Sequence, residues 1–286
     1  MNGWTAKHYG LFRAAFGIYL TIHFLGILPY AHELFGPQMM PASDSPFSQM
    51  FGFLAWFDLP FVPVIAVGAA TLLSSAFALG IKDRGVAIVL WVVWASLFAR
   101  NPLIANPGIP YVGWLLLFHA ALPRPMDKDW RLPHGFYHLA WVVMAVGYSY
   151  SGITKLGSAS WLDGTALSYV LTSPLARPTF VRDVLVASPL VMTVMTYATL
   201  GLEVLAAPVA IFKRARPWVW LALTGLQVGI LVTIDFADLT WGMLMIHLLT
   251  FDPDWLRPIV RLYNRRLRPL MQRLLHQSPQ ILRQRV

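Results

Sequence analysis

The ionisable side chains inside or at the edges of the apolar runs of this chain include Arg13, His23, His119, His138, Lys155, Glu203, Asp235, Asp238 and His247. Lys155 has the surroundings of a reagent. It ends the apolar run from His138 to Ile153, within Tyr148-Ser149-Tyr150-Ser151-Gly152-Ile153-Thr154-Lys155-Leu156. Six residues on comes Trp161-Leu162-Asp163-Gly164. An ammonium near a bilayer core costs roughly 2.5–3.5 kcal/mol on insertion scales, so a lysine there needs a reason. One reason is an anchor, the amine snorkelling to the headgroups. The other is a lysine desolvated between helices, where burial disfavours the charged form and the amine becomes a usable base. Both readings stand on the residues alone.

The other groups have parallel alternatives. Arg13 and Glu203 are the deepest unlike charges. Burying either alone is costly, so each calls for a partner inside the bundle, and pairing with each other is one solution. Asp235 and Asp238 flank Phe236 at the end of a later run and are expected to meet Lys155 or water. His247 reads as a hydrogen-bonded packing histidine, with proton shuttling as the alternative. The histidines form no metal signature, since His134 and His138 lie four apart with no carboxylate on the same face, and no metal is expected. Zero cysteines exclude disulfides, thiolate ligands and thiol catalysis. Redox chemistry in this chain therefore needs a bound cofactor or substrate.

The frame that must position these groups is a membrane one. The chain is 57% apolar and 12% charged, with mean hydropathy +0.58, whereas charged residues supply about 25% of a soluble domain. The net charge of +9 sits in short clusters between apolar runs. That is the pattern of loops facing anionic lipid rather than nucleic acid. Runs long enough to cross roughly 30 Å of hydrocarbon fall at 10–30, 61–81, 86–104, 110–123, 134–153, 189–212, 217–234 and 239–251. The fourth and eighth are short, to be buried by neighbours, lengthened or re-entrant, and seven spans is the rival count. The first run, interrupted by Arg13 and followed by no small-residue cleavage pattern, reads as a retained span.

With eight spans, one side holds Lys7, Lys82, Arg84, Arg124, Lys128, Arg131, Lys213, Arg214, Arg216 and the eight arginines after Asp252. The other holds only Arg100, Lys155, Arg177 and Arg182. The positive-inside rule then places both termini in the cytoplasm of a multi-pass cell-membrane protein. The expected organisation is an all-α bundle over 1–258 with a basic amphipathic cytoplasmic tail over 259–286. On the outer side, the long 31–60 loop is rich in interfacial aromatics. The 154–188 loop is expected to form a lid, with Asp163 capping a short helix.

Tyr150-Ser151-Gly152-Ile153-Thr154-Lys155-Leu156 followed by Trp161-Leu162-Asp163-Gly164 resembles the central motif of the horizontally transferred transmembrane (HTTM) family, whose best-known member is vitamin K-dependent gamma-carboxylase. Leu11-Phe12-Arg13 with Phe16-Gly17 resembles the family's opening. Leu202-Glu203 with Ala207-Pro208 and Lys213-Arg214 resembles its later acidic span, and Trp241-Gly242-Met243 to Pro253-Asp254-Trp255 its closing one. The likeness covers roughly 11–258 and is most specific around Lys155.

The resemblance implies an outward-facing cavity for a reduced quinone, vitamin K hydroquinone or menaquinol. In the carboxylase the lysine matching Lys155 is the base that starts quinol oxygenation. The base so produced takes a γ-proton from a peptide glutamate, and carbon dioxide adds. Here Lys155 would be the catalytic base, an oxidoreductase or lyase chemistry, with Tyr148, Trp161, Glu203, Asp235, His247 and Arg13 as substrate-binding residues. Membrane lipids, a lipid-soluble quinone and a peptide or protein substrate are the implied partners. The carboxylase carries a histidine after a tryptophan-asparagine-asparagine run, whereas Asn101 to Tyr111 here contains none. Quinol chemistry is therefore implied more directly than carboxylation. Bacterial relatives needed for maturing a secreted peptide toxin supply the alternative, a non-enzymatic membrane factor that binds lipid or a partner.

Overall fold

Each of the eight apolar runs folds as a helix. The computed structural model describes residues 2–36, 50–57, 59–101, 104, 106–124, 127–235, 237–263 and 265. The expected tail helix beyond 265, and 37–49 of the interfacial loop, lie outside the described residues, as does the Asp238 side chain. Among the described residues all regular elements are helical, with isolated β-bridges only.

The helices are α1 (Ala6–Ile27), α2 (Ala31–Phe35), α3 (Val62–Leu79), α4 (Asp83–Arg100), α5 (Gly108–Ala121), α6 (His134–Lys155), α7 (Ala159–Leu162), α8 (Ala166–Thr172), α9 (Phe180–Val186), α10 (Pro189–Ala210), α11 (Arg216–Thr233) and α12 (Ala237–Thr250). Local chemistry sets their ends. The Thr5 side chain accepts from the His8 N–H at 3.3 Å and caps α1. Prolines sit in the first turns of α3, α10 and α11, where no backbone donor is lost. α3 stops at Gly80, whose φ of 81° is left-handed and open to glycine at little cost.

Three stretches are long and apolar enough to cross a membrane by length and composition: Ala6–Phe35, Val62–Leu79 and Pro189–Ala210. The others fall short for identifiable reasons. α4 carries Asp83, Arg84 and Arg100, α6 carries His134, His138 and three tyrosines, and α11 carries Arg216 and Gln227. α5 and α12 have 14 residues each. At 1.5 Å per residue they reach only about 21 Å.

Packing runs α1 on α3, α3 on α4, α4 on α5 and α5 on α12. α12 then contacts α6 and α11, and α10 lies between α6 and α11. Large side chains such as Phe16, Phe24, Phe77 and Trp141 are fully buried in this core. The opposite faces stay apolar too: Leu11, Ile18, Ile22 and Leu25 on α1, and Ile65, Leu72 and Leu79 on α3, are exposed stripes at helical spacing. Bare apolar stripes of this length suit lipid, not water, so lipid contact is the natural environment of this bundle.

The buried charges pair differently from the expectation that joined Arg13 to Glu203. Arg13 Nη1 meets Asp83 Oδ2 at 3.2 Å, and Arg124 Nη2 meets Asp83 Oδ1 at 3.1 Å. His119 joins them, with Nε2 3.3 Å from Asp83 and Nδ1 3.0 Å from the Tyr9 hydroxyl. A side chain added at Gly80 would strike the Arg13 guanidinium. The turn between α3 and α4 thus delivers Asp83 to Arg13, a short-range solution that span periodicity does not reveal.

Residues 2–4 group with the residues from Asp252 onward as a separate small unit. Asp252 Oδ1 there accepts from the N–H groups of Gly3 at 2.8 Å and Asp254 at 3.0 Å. Asp254 pairs with Arg257 at 2.8 Å on the first turn of the short helix Arg257–Leu262.

Candidate functional site

Ser149, Gly152 and Lys155 recur at intervals of three on α6 and so share a face, and that face meets α10. Gly152 makes the approach possible. A Cβ added there would lie 2.9 Å from the Glu203 carbonyl carbon and closer still to the Val204 nitrogen. Gly152→Ala is expected to cost about 1–3 kcal/mol by forcing the backbones apart. Thermal unfolding in detergent checks this, and an unchanged midpoint would mean the helices do not touch there.

The contact unites two residues singled out by sequence. Lys155 Nζ forms an ion pair and hydrogen bond with Glu203 Oε2. The same amine donates to Ser151 Oγ at 3.2 Å and lies 4.8 Å from the centre of the Trp161 ring. A cation over an indole face gains more when desolvated. The Glu203 side chain is 6% exposed and that of Lys155 23%, so the carboxylate is buried while the amine keeps an open side. Its position in the last turn of α6 is where a helix favours positive charge.

The open side is a cavity of about 670 Å³. Its walls come mainly from α8, α9, α10 and α11, with Lys155 at the end of α6 and Trp161 on α7 at its mouth, and Lys155 and Glu203 are the two ionisable residues lining it. Leu171, Leu185, Met195, Leu202, Leu226 and Val232 represent the rest. Gly225 and Gly229, one turn apart on α11, line it, and a Cβ at either would meet nothing within 4 Å. They leave space where side chains would fill it.

The expected lid segment folds as α7, α8 and α9, and both ends are tied down. Tyr197 donates to the Leu162 carbonyl at 3.0 Å, and the Leu167 N–H donates to Thr196 Oγ1 at 3.3 Å. Gly164 has a φ of 80°, and an added Cβ would press on Thr193 and the Tyr197 ring. At the far end the Arg177 N–H donates to the Thr233 carbonyl at 2.8 Å, and the Asp235 N–H to the Leu175 carbonyl at 2.7 Å.

Asp163 does not cap the helix after it. It forms a turn ahead of it, accepting at Oδ1 from the Thr165 hydroxyl at 2.6 Å and the Thr165 N–H at 2.9 Å. These bonds hold its carboxyl below the usual aspartate range.

The remaining sequence candidates lie elsewhere. Asp235 does not meet Lys155. It pairs with Arg177 at 3.0 Å and is largely exposed, because the 173–179 segment reaches it first. Arg13 lies in the Asp83 cluster and lines no part of the cavity. Tyr148 and His247 lie together but outside the cavity lining, in a buried network. Gln227 donates to the Tyr148 hydroxyl at 2.7 Å, and that hydroxyl shares a hydrogen bond with His247 Nε2 at 2.8 Å. His247 Nδ1 is hydrogen-bonded in turn to Thr224 Oγ1 at 3.2 Å. The network joins α6, α11 and α12.

Sequence reading passed over Ser149, Gly152, Gly225 and Gly229. The signals were present, as Pro208 inside an apolar run announces an orphaned carbonyl one turn earlier. The four-residue glycine spacing on α11 announces a bare helix face.

Residues 120–255 match the family model described as the HTTM domain. No curated protein and no solved structure matches the chain. The matched stretch begins beyond the Arg13 segment and contains α6 through α12, both members of the ion pair and the whole cavity wall. Over residues 120–255 the chain is therefore similar to the HTTM domain, and the Lys155–Glu203 pair lies inside the matched stretch.

Proposed function

We propose that this protein is a membrane enzyme acting on a lipid-soluble quinol, reduced vitamin K or menaquinol, with Lys155 as the base. The observation that carries the reading is an apolar cavity of about 670 Å³ whose two ionisable lining residues are Lys155 and Glu203 in direct contact. That volume lies within the roughly 300–1,000 Å³ of small-molecule sites. A large apolar body bearing acidic hydroxyls at one end fits such walls, and Trp161 at the amine offers a flat face for an aromatic ring. The eight helices are read as eight spans with both termini cytoplasmic and the Lys155 end outward, α7 to α9 forming the lid.

A quinol supplies two-electron chemistry with dioxygen, one oxygen atom entering the epoxide and the other leaving as water. The chain's own residues manage the proton. Amine and carboxylate touch, so Glu203 is placed to exchange a proton with Lys155 during turnover, and the pair carries no net charge whichever of them holds it. The amine then takes the quinol hydroxyl proton. A coupled carboxylation of a peptide substrate is the further step the resemblance suggests.

Filling the cavity tests the reading without touching the pair. Gly229→Leu is expected to weaken menaquinone binding in nanodiscs about tenfold or more, with thermal stability at or above wild type since glycine is a poor helix former by about 1 kcal/mol. Wild-type affinity in the variant would place the quinone elsewhere. One observation favours a second reading. The Lys155 amine is engaged by Ser151, Glu203 and Trp161 together, as suits a fixed cation in a non-enzymatic factor that binds a lipid or partner. Full biological function of Lys155→Arg would select that reading, because arginine keeps the charge and cannot act as a base.

A further inference from the structure

Pro208 lies inside α10 and has no backbone N–H, so the Val204 carbonyl one turn earlier loses its helical donor. Ser149 of α6 fills the gap. Its Oγ lies 3.0 Å from the Val204 oxygen and 3.2 Å from the Glu203 oxygen, where its single hydrogen is donated, and it accepts from the Ala207 N–H at 2.9 Å. A buried hydroxyl from one helix thus completes the interrupted backbone ladder of another, at the residue that bears the carboxylate. With Gly152 pressed on the same peptide, α6 grips α10 at Glu203 and Val204.

We propose that Ser149 and Pro208 form a latch that holds the Glu203 carboxylate on the Lys155 amine, making Ser149 a positioning residue for the site. This rests on Lys155–Glu203 as the reactive pair, yet its test needs no turnover. A helix broken by proline and left unlatched has freedom to bend and rotate at the break. The latch removes it. The hydroxyl also answers the carbonyl that Pro208 orphans, and removing it leaves that acceptor unmet.

The experiment is acetylation of Lys155 by a membrane-permeant succinimidyl ester on the full chain in nanodiscs, quantified by peptide mass spectrometry against the exposed Lys82 and Lys213. Glu203→Gln sets the rate for a lysine without its counter-charge. Ser149→Ala is expected to raise Lys155 reactivity about tenfold, toward the Glu203→Gln rate, and Ser149→Thr, which keeps the hydroxyl, to stay near wild type. Ser149→Ala combined with Pro208→Ala restores a backbone donor to Val204. It is expected to recover the thermal stability lost in Ser149→Ala and to return Lys155 to near its wild-type protection, because an unbroken helix needs no latch. Protection of Lys155 in folded Ser149→Ala, or reactivity persisting in the double variant, would overturn the latch and leave Ser149 a filler of hydrogen bonds. Inertness of the wild type toward quinol would count against the proposed reaction and leave this result untouched.

Discussion

Lys155→Arg protein is expected to fold, to retain an ion pair with Glu203 and to lose about 10²- to 10⁴-fold in quinol conversion, the range a positioned general base contributes. Arginine preserves the charge and the cation over Trp161 but keeps its proton. Lys155→Ala should lose as much turnover and some stability besides, since Glu203 is then buried without its partner. Comparing the two separates base from counter-ion. Steady-state epoxide formation by purified protein gives the numbers. Equal rates for Lys155→Arg and wild type would assign the lysine to charge alone.

Glu203→Ala is the substitution expected to cost most in stability, about 3 kcal/mol, because it strands the Lys155 ammonium in a largely apolar site. The lower end of the range for broken buried pairs applies since the lysine side chain is 23% exposed. Replacing both partners by apolar residues of similar size, Lys155→Met with Glu203→Leu, should recover most of the loss, and that double variant should be inactive. Denaturant or thermal unfolding in detergent measures both. A Glu203→Ala protein as stable as wild type would show that the pair contributes no net stability.

The eight helices were legible in the sequence because long apolar runs broken by Pro, Gly and basic clusters have few other solutions. Gly80, Pro189 and Pro217 mark ends that the structure confirms to within a few residues. Lys155 and Trp161 were legible as neighbours because they lie six residues apart. Glu203, 48 residues away, was identified as a charge needing a partner, but which partner depends on helix register. That register is set by Gly152 and Ser149, whose small side chains carry little signal by themselves. The same holds for Arg13. Its partner Asp83 begins α4 in a stretch read only as a loop. Asp235 was placed at the right end of the bundle but is claimed by Arg177, since the course of the 173–179 segment depends on backbone bonds that composition does not encode. The cavity is an absence of side chains, and two glycines on α11 were its only trace.

The most direct test of the account is simultaneous measurement of oxygen uptake and quinol epoxide by the wild-type protein in nanodiscs, supplied with reduced vitamin K or menaquinol, beside Lys155→Ala. One epoxide per dioxygen consumed, lost with the lysine amine, is the result expected. A folded wild-type protein that binds quinone and converts none, or converts it equally without the amine, would contradict Lys155 as a base and leave the cavity as a binding site.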